Sequence, residues 1–163
     1  MYSKIFFGKE LTDLHYYDIE NFFVEKKEES DKMEFKSYHE KGENSHVQHE
    51  NNIIRSICGM LNSDGGIIIW GAPDKKKIDN LIEYVGELSP LTKPTDKDSL
   101  IRRISDNIKT TPRSYRMVEL QKPNTQNYVI IFEIEKSEYA PHQYDNTYFM
   151  RIDGQTKPAP HHY

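Results

Sequence analysis

Cys58 is the chain's only cysteine, so no intrachain disulfide and no cysteine-built zinc cluster can form. Its place in an apolar helical run marks it as a small buried hydrophobe. No stretch approaches the ~18 apolar residues of a membrane span. The opening Met1-Tyr-Ser-Lys-Ile-Phe-Phe-Gly lacks an apolar stretch of signal-peptide length. These two absences set the expectation of a cytoplasmic protein with no membrane contact. There is no Gly-x-x-x-x-Gly-Lys-Ser/Thr phosphate loop, no Gly-x-Ser-x-Gly elbow, no His-x-x-x-His pair with a third ligand nearby and no internal repeat. Basic charge is not in excess either: the formal charge is −4 at pH 7. The total therefore lacks the basic footprint usual in nucleic-acid binders.

What is present suits one compact α+β domain spanning 1–163, with its core at about 12–157. Aromatic residues make up 12% of the chain, eleven of them tyrosines, which excludes a disordered polymer. The charge is unevenly placed. Residues 1–45 carry eleven acids against seven bases, whereas residues 97–116 carry six bases against Asp98 and Asp106. Arg102, Arg103, Lys109, Arg113 and Arg116 are thus candidates to follow a phosphate backbone.

Apolar spacing predicts a helix from Thr12 or Asp13 to Lys26. Met33 to Tyr38 alternates, with Met33, Phe35 and Ser37 on one face and Glu34, Lys36 and Tyr38 on the other, so it reads as a half-buried strand. Glu40 to His49 is polar and reads as a loop, which leaves His39, His46 and His49 solvated. Ile53, Ile54, Ile57, Cys58 and Leu61 give a core helix over Glu50–Asn62, stopped by Asn62 to Gly66. Ile67 to Trp70 is a continuous apolar strand covered on both faces. Lys75 to Lys77 are solvated, and Ile78 to Val85 is a helix or an extended segment. A helix runs from Lys97 or Asp98 to about Thr110. Ser114–Gln121 and Gln126–Ile134 form a hairpin, and Thr147–Ile152 is the last strand. The result is a mixed β-sheet flanked by three to four helices.

One constellation carries chemistry. Glu34 and Lys36 share a strand face, Glu29 lies five positions upstream across a turn, and Asp74 lies beyond the carboxyl end of a central strand. If these ends meet, three carboxylates suit a hard cation such as Mg²⁺ or Mn²⁺, with Lys36 neutralising phosphate charge. Asp64 is a second candidate for the aspartate, although its Gly-Gly turn favours a structural role. Gly65-Gly66 reads as a helix stop and a tight packing point.

The pattern Glu29-Ser-x-x-x-Glu34-Phe35-Lys36, then Leu61-Asn-Ser-Asp-Gly-Gly66 and Ile67-Ile-Ile-Trp-Gly-Ala-Pro-Asp74, resembles the Schlafen AlbA_2-type domain. Tyr148 to Thr156 is similar to that family's closing Tyr-x-Arg-x-Gly-x-x-Thr segment, with Phe149 in the aromatic place and one extra residue between Arg151 and Gly154. Gly71-Ala72-Pro73-Asp74 stands where the family has Gly-Val-x-Asp, and Pro73 fixes the backbone before the candidate ligand. The resemblance implies a metal-dependent endoribonuclease acting on structured RNA such as tRNA. Glu29, Glu34 and Asp74 would be its Mg²⁺ or Mn²⁺ ligands, Lys36 would assist, and Arg151 would join the basic helix on RNA. It also implies a homodimer, since longer Schlafen proteins set two such lobes side by side. The alternative it offers is a non-catalytic module that binds RNA or DNA or regulates.

Overall fold

Ile67, Ile68, Ile69 and Trp70 are all fully buried, because their strand has a hydrophobic layer on each face. The computed structural model describes residues 1–40, 45–94 and 96–160. His161, His162 and the 41–44 part of the expected polar loop lie outside the described residues. In chain order the elements begin with α1 (Tyr2–Phe7), a 3₁₀ turn (Leu11–Asp13), α2 (Tyr16–Phe22), β1 (Met33–Lys36), α3 (Ser45–Leu61) and β2 (Gly65–Trp70). The hairpin β3 (Lys75–Ile78) and β4 (Leu81–Tyr84) follows, then α4 (Lys97–Asn107), β5 (Ile108–Lys109), β6 (Tyr115–Gln121) and β7 (Tyr128–Glu135). The chain closes with β8 (Gln143–Tyr144), β9 (Phe149–Ile152) and β10 (Gln155–Pro158).

The main sheet has the order β1-β2-β7-β6. β1 and β2 are parallel and joined through α3, whereas β7 runs antiparallel to both β2 and β6, so the sheet is mixed. Alternation divides its side chains. Ile68, Trp70, Ile130, Phe132 and Ile134 pack against α3 and α4. Ile67, Ile69, Val129 and Ile131 pack against Leu14, Tyr16, Ile19 and Phe23 at the amino-terminal end. The expected α+β architecture stands.

Several boundaries moved for local reasons. The single helix expected from Thr12 breaks at Leu14 and His15, which are extended, and restarts where the Asp18 carboxylate accepts the His15 N–H at 2.8 Å. α1 had no counterpart in the expectation. α3 begins by Ser45, so His46 and His49 sit on its first turns and not in a loop. Residues 75–84 form a hairpin because Asp79 and Asn80 adopt left-handed φ values of 50° and 70°, as a two-residue turn needs. β10 was also missed. Asp153 and Gly154, at φ 52° and 71°, reverse the chain and bring Thr156 into register with Arg151.

Candidate functional site

Glu34 is 4% exposed, and its neighbour across the fold is Arg151. The Arg151 guanidinium, with a fully buried side chain, donates to Glu34 Oε1 at 2.9 Å, to the Met33 carbonyl at 2.9 Å, to the Ser30 carbonyl at 3.0 Å and to Thr156 Oγ1 at 3.2 Å. Ser63 Oγ accepts the Arg151 backbone N–H at 2.9 Å. This buried fork ties the β9–β10 hairpin to the start of β1. The expected placement of Arg151 on RNA therefore needs correction, because every donor on its planar head is turned inward. Lys36 stands on the same strand face as Glu34, with Nζ 3.8 Å from Glu34 Oε1. Glu34 Oε2 is buried and has no partner.

Glu29 does a different job. β1 is an edge strand, and Glu29 Oε2 accepts the Phe35 N–H at 3.1 Å, while Oε1 accepts the Tyr84 hydroxyl at 3.0 Å. Burial, and then the charge of Glu34, hold the Glu29 carboxyl above its ordinary range despite those two donors. Folding thus favours the protonated form. The associated stability is present below the ordinary carboxyl pKa and is lost as pH rises through the raised one. Glu29→Gln keeps the geometry without the charge. In thermal denaturation across pH 4–8 this variant is expected to melt above wild type at pH 7, with the two curves converging towards pH 4.

Asp74 does not join them. Lys36 O accepts the N–H groups of Gly71 at 2.7 Å and Ala72 at 3.1 Å, and buried Pro73 then turns the chain outward. The Asp74 side chain is 62% exposed and pairs with the His39 imidazole. Asp64 cannot replace it, because the two aspartates flank opposite ends of β2, about 20 Å of strand apart. Among the described residues no three His, Cys, Asp or Glu side chains are placed to hold a metal ion. The donor set expected for Mg²⁺ or Mn²⁺ therefore does not fit a shared ion in this arrangement: Glu34 is matched by Arg151, Glu29 caps a strand edge, and Asp74 is at the surface.

What the strand ends do form is a cleft of about 610 Å³. Lys36 and His39 reach it from the end of β1, Asp74 and Lys75 from the chain after β2, His49 from α3 and Tyr84 from β4. Such a position, beyond the carboxyl ends of adjacent parallel strands, is where open sheets gather ligands. Burial, then the neighbouring His46, His39 and Lys36, push the His49 imidazole down, so it is neutral at pH 7. Lys77 lies on the same ribbon face as Lys75, since the two are separated by one residue along β3. Lys75 and Lys77 were read as merely solvated; three consecutive lysines directly after Asp74 were the available signal.

The expected basic patch is divided. Arg103 pairs with the carboxylate of Glu50 and the amide of Asn51, fastening α4 to α3. Arg116 pairs with Glu133, whose other oxygen accepts from the Met1 ammonium at 3.1 Å and the Ser3 N–H at 2.8 Å. Glu133 alternates with Phe132 and Ile134 and so faces the amino-terminal side, with the sheet between Arg116 and the α4 arginines. Arg102, Lys109 and Arg113 are exposed.

An α+β domain built on a parallel β-α-β unit, with a cleft at its strand ends and a buried glutamate–arginine lock, is the class defined by this geometry. The family model described as "Schlafen, AlbA_2" matches residues 29–160, and the chain belongs to that family. The DIP2311 protein from Corynebacterium diphtheriae has a similar solved structure, with a TM-score of 0.50 and 16% identity over 79% of this chain. This likeness concerns the fold alone, and the chain spans 22% of that protein's length. No curated protein matches. No helix among the described residues is long and apolar enough to cross a membrane.

Proposed function

We propose that the chain is a nucleic-acid-binding domain that receives an RNA or DNA backbone in the strand-end cleft. The observation that carries this reading is the pair of lysines, Lys36 and Lys75, lining one cleft, with Lys77 continuing the same cationic face along an exposed ribbon. The AlbA_2 membership points the same way. Lysines on phosphate supply affinity without sequence information and make binding salt-dependent. In a fluorescence-anisotropy titration across a salt series, Lys75→Ala and Lys77→Ala are each expected to weaken all sequences alike and to lower the salt slope by about one. Absence of affinity at low salt, or variants that bind as wild type does, would overturn the reading.

Endoribonuclease activity on structured RNA such as tRNA is the second reading, and one observation favours it. Glu34 Oε2 is buried without a partner beside a second carboxylate, Glu29. Incubation of the protein with tRNA and Mn²⁺ tests it: cleavage that disappears in Glu34→Gln supports the activity, and intact tRNA removes it.

A further inference from the structure

Two amides on α3 have no structural employment. Gln48 and Asn52 stand one helical turn apart and line the same cleft as Lys36 and Lys75. Neither side chain makes a hydrogen bond among the described residues. The other amides at this helix are engaged. Asn51 accepts from Arg103. Asn62 donates to the carbonyls of His142 at 2.9 Å and Phe149 at 2.8 Å and accepts the His142 N–H at 2.7 Å. Asparagine inside a helix has low intrinsic propensity, so Asn52 carries a local cost with no return within the fold.

We propose that the cleft holds one unpaired nucleotide of a bound strand, with its phosphate between Lys36 and Lys75 and its base edge read by the amides of Gln48 and Asn52. The proposal rests on the nucleic-acid-binding reading and adds the form and the sequence preference of the ligand. The volume, about 610 Å³, lies in the range that small ligands occupy. That suits one splayed-out nucleotide and leaves no room for a helix. An amide offers a donor and an acceptor side by side, the complement of adenine N7 and N6. In an RNA duplex that N7/N6 edge lies in a deep, narrow groove that side chains cannot read; in a loop or a free strand it is open to such contacts. The His49 ring, which lines the same cleft, supplies a flat surface for a base. Asp74, the one carboxylate among the described residues that line the cleft, pairs with the His39 imidazole at its rim.

The experiment is an anisotropy titration of the full chain with labelled adenine, cytosine and uracil 12-mers and a 12-base-pair duplex at low salt. The adenine strand is expected to bind tightest and the duplex weakest. Asn52→Ala is expected to reduce the adenine preference about five- to a hundredfold while leaving the cytosine strand unchanged. Gln48→Glu, at an exposed position where folding is not at stake, should likewise lower the adenine preference. A duplex that binds as well as the strands overturns the proposal, as does uniform weakening of every strand in both variants. Failure to bind any of the four overturns the nucleic-acid reading beneath it.

Discussion

Arg151→Met is expected to destabilise the domain by about 3–5 kcal/mol, the usual result of leaving one partner of a buried ion pair alone. The loss is concentrated at Glu34, which is 4% exposed and takes its direct charged hydrogen bond from Arg151. The two carbonyls that Arg151 also serves suffer less, because Met33 O and Ser30 O accept each other's backbone N–H at 3.0 Å and 3.3 Å. Against a total stability of roughly 5–15 kcal/mol, such a loss brings the chain near its limit. Urea denaturation reads it directly. Arg151→Lys is expected to recover little, since one ammonium cannot span a carboxylate and two carbonyls as a planar fork does. The double variant Glu34→Leu/Arg151→Met removes both charges and should be more stable than Arg151→Met alone. If the single variant loses less than about 1 kcal/mol, the pair is not what holds β9–β10 to β1.

That pair also marks the limit of what the sequence reveals. The β1–α3–β2 unit was legible because a buried parallel strand needs an unbroken apolar run and its helix needs a wide apolar face; both are written locally, at 67–70 and 53–61. Glu34 and Arg151 were each singled out, as a metal ligand and an RNA contact, but their pairing was not legible, since they are 117 positions apart and meet only in the folded sheet. An arginine after alternating residues reads equally as a phosphate contact or as a core lock. Asp74 was misplaced for a narrower reason: Gly71, Ala72 and Pro73 set the exit direction of the chain, and direction is not a property of spacing. The basic stretch 97–116 is continuous in sequence, yet α4 lies on one side of the sheet and Arg116 faces the other. His46 and His49 looked like loop residues because α3 starts before its apolar face does. The cleft was read only in part: Lys36 and Asp74 were expected where the two strand ends meet, whereas the side chains it takes from α3 and β4 were not.

The Gly-Gly pair was read as a packing device, and Gly65→Ala puts that reading to its hardest test. Gly65 has φ +80°, and a methyl group there would meet the Ile134 carbonyl oxygen at 2.3 Å. That carbonyl belongs to β7, which is held between β2 and β6 and has little freedom to retreat. On the other side Gly66 presents its α-carbon to Lys32, whose carbonyl would lie 2.5 Å from an added methyl and already accepts the Ile67 N–H at 2.8 Å. The two glycines thus let the entry to β2 pass between β1 and β7 at backbone distance. Gly8→Ala is the matching control, because Gly8 has φ +76° with nothing within 4 Å of the new methyl. It should cost about 1–2 kcal/mol, the conformational penalty alone. Gly65→Ala is expected to cost on the order of 3–5 kcal/mol, the difference being the backbone collision. Parallel urea melts of the two variants measure that difference. If Gly65→Ala proves as mild as Gly8→Ala but impairs ligand binding, the pair is a phosphate-approach loop and not a packing point.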